Sequence, residues 1–169
     1  MDYLSSSSNA QKFFATVQNK LHFAITGNTA AEIIADRADA SKPNMGLTTW
    51  RKAPDGKVFL SDATIAKNYL SKDELSQLNR IVNMYIDYAE FQAARGKVMV
   101  MKDWAEKLDV FLKYNEQEIL SDLGKVSHEV AVALAEKEYD FFRKKQDQLH
   151  KSDFDKLCET SKLVKSDRE

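Results

Sequence analysis

Apolar residues return every three or four positions along most of this chain, the period of an α-helix with one face against a core. Phe14, Val17, Leu21, Ala24 and Ile25 form the first such stripe and predict a helix over about 9–25. Ser8 or Asn9 is placed to cap it, Lys12, Asn19 and Lys20 lie off the stripe, and His22 sits at its edge. Gly27 stops this helix, because glycine takes the left-handed terminal conformation at little cost. Thr29-Ala30-Ala31-Glu32 has the spacing of a capping box and opens a second helix through Asp39. The loop Ser41-Lys42-Pro43-Asn44-Met45-Gly46 follows, since proline disfavours helix in the residue before it.

Two short apolar arms, 47–50 and 57–60, flank the turn sequence Pro54-Asp55-Gly56, and predict a short β-hairpin. From Ser61 onward the period is helical again. Ile65, Ala66, Tyr69 and Leu70 make one short segment, and a capping box at Ser71–Glu74 opens a long helix to about residue 95, closed by Gly96. Trp104, Leu108, Phe111 and Leu112 mark the next helix. Asn115 to Glu118 repeats the box spacing and predicts a further segment ending at Gly124. Ser127 caps a helix carrying Val130, Ala131, Leu134, Phe141 and Phe142, and Ser152-Asp153-Phe154-Asp155 starts a last short one. The expectation is an all-α domain of about seven helices with one hairpin near 47–60. Its boundaries are a lead-in over 1–8, a helical domain over 9–160 and a charged tail over 161–169.

Composition supports this reading and narrows the function. Five glycines and two prolines in 169 residues suit long helices. The 25 basic and 26 acidic side chains leave a net charge of −1, against broad nucleic-acid binding. The chain holds no apolar run long enough to span a bilayer, and no basic-then-apolar segment opens it. A single cysteine, Cys158, cannot form an internal disulfide, which places the chain by default in a reducing cytoplasm.

Residues capable of chemistry are sparse. His22, His128 and His150 are widely separated, so zinc-ligand spacing is absent and no metal site is expected. Nucleophile elbows, phosphate-binding glycine motifs and cofactor motifs are absent too. One stretch stands out: an imidazole at His22 in the last turn of one helix, then Gly27-Asn28, then the free amides of Thr29 and Ala30 at the next helix start. Such amides can hold an anion such as phosphate. Arg37 and Lys42 would add positive charge, Asn19 and Lys20 would support the site, and Asp36 or Asp39 would orient a base or cation. The bland alternative is a stop-then-cap junction with a half-buried histidine at its edge.

This stretch loosely resembles the signature loop of Fic/Doc proteins, with His22, Gly27 and Asn28 matching at the right offsets. In that family the histidine is the base and an acidic residue holds magnesium. Here Thr26 stands at the acidic position and the arginine is missing. A broader resemblance covers Phe13 to about Lys156. It is carried by Thr29-Ala30-Ala31-Glu32-Ile33-Ile34, Lys42-Pro43-Asn44-Met45-Gly46-Leu47-Thr48, Ile65-Ala66-Lys67-Asn68-Tyr69-Leu70 and Asp103-Trp104-Ala105-Glu106-Lys107-Leu108-Asp109. These phrases resemble the C-terminal part of the RhuM family, bacterial proteins labelled virulence proteins. The resemblance implies DNA contact through a preceding N-terminal region outside this chain, and names no reaction. Three expectations follow in order: a module binding a protein partner or itself, a divergent Fic-like nucleotidyl- or phosphoryl-transfer enzyme using His22, and direct DNA binding.

Overall fold

The computed structural model describes residues 8–149. Among them the chain is all-helical, with six α-helices, two 3-10 turns and no strand. The helices are α1 (Ser8–Thr26), α2 (Ala30–Arg37), α3 (Leu60–Ala63), α4 (Lys72–Ala94), α5 (Met101–Tyr114) and α6 (His128–Leu149). The expected last helix at Ser152, with His150 and Cys158, lies outside the described residues, as does most of the lead-in and all of the charged tail.

Two packing layers meet along α1. The α2 helix lies against α6, and α1 against α4 and α5. Ile33, Ile34, Met45, Val58, Tyr69 and Leu70 are buried in the first layer, Leu108 and Leu112 in the second. The capping boxes expected at Thr29 and Ser71 both form: Thr29 Oγ1 accepts from the Glu32 amide at 3.3 Å and Ser71 Oγ from the Glu74 amide at 3.2 Å. Ser127 likewise caps α6 by accepting from the Val130 amide at 3.3 Å.

The hairpin expected near 47–60 does not form. The amides of Thr48 and Thr49 donate to the Asn68 carbonyl at 2.8 and 3.3 Å instead of crossing to the second arm. On that arm, Val58 is bonded by a side chain: its amide donates to Gln146 Oε1 at 2.7 Å, and Gln146 Nε2 donates to its carbonyl at 3.1 Å. A glutamine from α6 thus supplies both bonds that a partner strand would have made. Arms of four residues could not compete with a helix arriving from 88 positions away. The turn between them survives, closed by the Trp50 indole donating to the Gly56 carbonyl at 2.7 Å.

The segment expected between Asn115 and Gly124 is also not helical. Asn115 terminates α5 rather than starting a new helix, its side-chain amide donating to the Phe111 carbonyl at 2.8 Å. Glu116 then takes φ +57°, which breaks the helix. Asparagine serves both helix ends, so box spacing alone misassigned the direction.

Candidate functional site

Thr26 to Glu32 builds the corner between α1 and α2. Gly27 takes φ +72° and ends α1 with its amide on the Phe23 carbonyl at 2.8 Å. The Thr26 hydroxyl lies 2.9 Å from the His22 carbonyl, to which it donates, and 3.1 Å from the Asn28 amide, from which it accepts. Three of the next amides have acceptors supplied by this chain. Thr29 N–H donates to Glu32 Oε2 at 2.7 Å, Ala30 N–H to Asn19 Oδ1 at 3.2 Å, and Glu32 N–H to Thr29 Oγ1 at 3.3 Å. The other Glu32 oxygen accepts from the Lys125 amide at 2.7 Å, tying the α5–α6 connection onto the corner. Burial works to raise the Glu32 pKa, but the Lys125 and Thr29 hydrogen bonds outweigh it and hold the carboxyl below its ordinary value. A carboxylate therefore already occupies the place where an anion would meet these amides.

A cleft of about 680 Å³ opens beside this corner. Phe23, Gly27 and Asn28 form one wall, Glu32 and Asp36 the floor, and Asp122 and Lys125 the far side. Three carboxylates against one ammonium make it electronegative, which disfavours a phosphate guest. Of the residues singled out from the sequence, Gly27, Asn28 and Asp36 share this cleft. His22 does not line it. The imidazole is half-buried, with Nδ1 buried and unpartnered, and burial, helped by the Lys67 charge, lowers its pKa.

The remaining candidates are engaged elsewhere. Arg37 forks onto Glu74, with both guanidinium nitrogens 2.7 Å from a carboxylate oxygen, and also donates to the Tyr69 carbonyl at 2.9 Å. That pair holds the Glu74 carboxyl down to about 2 and fastens α2 to the start of α4. Lys20 joins α1 to α5 through Asp109 at 2.6 Å. Asp39 accepts from the Ser41 hydroxyl at 2.6 Å and lies 3.8 Å from Lys42, which is exposed beyond the end of α2. Among the described residues, no three His, Cys, Asp or Glu side chains converge as metal ligands, and no helix is long and apolar enough to cross a membrane.

A second feature lies along α5. Val98 is 95 % exposed, Val110 70 % and Tyr114 87 %, with Phe91 and Val100 also in solvent. Together with Met99, Val98 and Val110 line an open groove of about 510 Å³ whose rim carries Lys97, Asp103, Glu106 and Lys107. Inward, Tyr85 donates to the Trp104 carbonyl at 2.6 Å and its ring packs on Phe111, so α5 is fixed on one side and bare on the other. The stripe Trp104, Leu108, Phe111 and Leu112 predicts the packed side of α5 and leaves these outward valines unassigned. Their signal was available: Val98 and Val100 precede the amphipathic stripe, and Val110 falls off it.

Over its described residues the molecule is thus an all-helical scaffold whose α1–α2 corner is tied by its own side chains and whose α5 carries apolar side chains in solvent. The chain belongs to the virulence protein RhuM family, whose model matches residues 1–150. No curated protein and no solved structure matches it.

Proposed function

We propose that this chain is a non-catalytic module that binds a protein partner or itself, within a bacterial virulence-linked, DNA-associated protein acting in the cytoplasm. The helical module spans 9–160, followed by a charged tail over 161–169, and DNA contact is made by a region outside this chain. One observation carries the reading: the apolar side chains of Val98, Val110 and Tyr114, which neighbouring elements leave in water. Exposed apolar surface of this kind, rimmed by charge, marks an interaction site. Photo-crosslinking in cells from residues placed at Val98, Val110 and Tyr114 should give discrete protein adducts. Absence of adducts at all three positions would sink the reading.

Fic-like transfer by His22 makes a different demand. The Glu32 carboxylate would have to leave the Thr29 and Lys125 amides before a phosphate could enter, and the freed cleft would still hold Asp36 and Asp122. Calorimetric titration of wild type and His22→Ala with nucleotide and magnesium decides the matter. Heat of binding lost in the variant would replace the module reading with the catalytic one.

A further inference from the structure

We infer that the groove between Val98 and Val110 is an isologous interface, and that its occupant is a second copy of this chain docked antiparallel across the outer face of α5. The inference rests on the module reading above and names the partner.

Apolar side chains stand in solvent on α4, α5 and α6, and the charges beside them separate the last two. On α6, Val130, Leu134 and Phe141 are half-exposed; three and four positions from them stand Lys137, Lys144 and Lys145, while Glu138 is engaged by the Ala40 amide, and Lys144 sits 5.9 Å over the Phe141 ring. A second copy on that face would bring lysine against lysine. The α5 face carries both signs in alternation. Asp103, Lys107, Val110 and Tyr114 recur along it at helical spacing, so all four project to one side. An antiparallel copy related by a two-fold axis places Asp103 of each chain against Lys107 of the other, twice over. The same axis sets Val110 against Val100 of the other copy, with Val98 of its own chain lining the groove beside it. Tyr114 then falls beside the Arg95 guanidinium, a cation already stacked 5.4 Å from the Phe91 ring. A parallel copy would oppose like charges. Neither Lys97 nor Lys107 has an ion-pair partner among the described residues, so both are available to a second chain.

Sedimentation velocity on the full chain over a range of concentrations tests the arrangement. The wild type should be a dimer. Val98→Glu, at a side chain already in solvent, should leave far-UV circular dichroism unchanged and shift the protein to monomer. Lys107→Glu alone should weaken dimerisation by about tenfold, because it faces acid with acid. Asp103→Lys alone should weaken it as well, and its helical content is checked because Asp103 also accepts from the Val100 amide at 3.0 Å. Mixing the two variants should restore a dimer, since each then meets its opposite. A monomeric wild type overturns the inference. So does a dimer that survives Val98→Glu, or one abolished by Phe141→Glu on α6. In those cases the module reading stands or falls separately on whether cross-links to other proteins form.

Discussion

The layer built by α2 and α6 and the end built by α5 are made from the same kinds of residue yet finish differently. In the first, Gln146 bonds Val58, Glu138 accepts from the Ala40 amide at 2.8 Å, and Arg37 forks onto Glu74, so each arriving segment is met by a side chain. In the second, α5 buries Leu108 and Leu112 and leaves Val110 and Tyr114 bare. One region spends its polar groups on closing itself. The other stays folded with apolar surface unspent, which is what an interface needs.

Substitutions should separate the two regions in a graded way. Ile33→Ala, at a side chain 0 % exposed, should cost about 3 kcal/mol by urea unfolding, as for other fully buried truncations. Gly46→Ala should cost about 2 kcal/mol, because Gly46 takes φ +82° and a methyl group there would meet the Arg37 carbonyl oxygen. Arg37→Ala should cost about 1.5 kcal/mol through loss of charge-assisted hydrogen bonds at a partly exposed pair. It should also change the pH response. The Arg37 guanidinium holds Glu74 at about 2 against an ordinary 4.5, so this stabilisation is complete above about pH 4.5 and is lost as pH falls through about 2. Unfolding midpoints measured across that window should flatten in the variant.

A smaller effect is expected at His22. Its folded-state pKa lies below the ordinary 6.5, so the unfolded chain takes up the proton first, and stability drops as pH falls below 6.5. His22→Phe should remove this dependence between neutral and mildly acid pH. Smallest of all, Val110→Ala should change monomer stability by less than about 0.5 kcal/mol, as surface substitutions do. A cost near that of Ile33→Ala would erase the contrast between the two regions.

Local signals in the sequence carried most of the helices. Thr29, Ser71 and Ser127 cap where their spacing placed them, and Gly27 and Gly96 take positive φ at the helix stops they were read as, whereas Gly124 takes positive φ with no helix before it to stop. The failures came where a distant side chain decided the outcome. Nothing near Val58 announces that Gln146 will bond its backbone, and nothing near Asn28 announces that Asp122 and Lys125 will wall the adjoining cleft. The candidate site was legible as a corner but not as a cleft, because its far side, Asp122 and Lys125, arrives about ninety residues later. Arg37 illustrates the same limit: an unpaired cation in the sequence, it forms a bidentate tie in the fold.

Glu32 shows how much can hang on two oxygen atoms. One is spent at its own helix start and the other 93 positions along the chain, where Gly124 lies so close to Thr29 that an added methyl would come within 2.7 Å of its side chain. Glutamine offers a single acceptor and could serve only one of these duties. The carboxylate is therefore a rivet through two plates: loosening it should free the strap that delivers α6, and the last long helix would lose its seat while keeping its own turns.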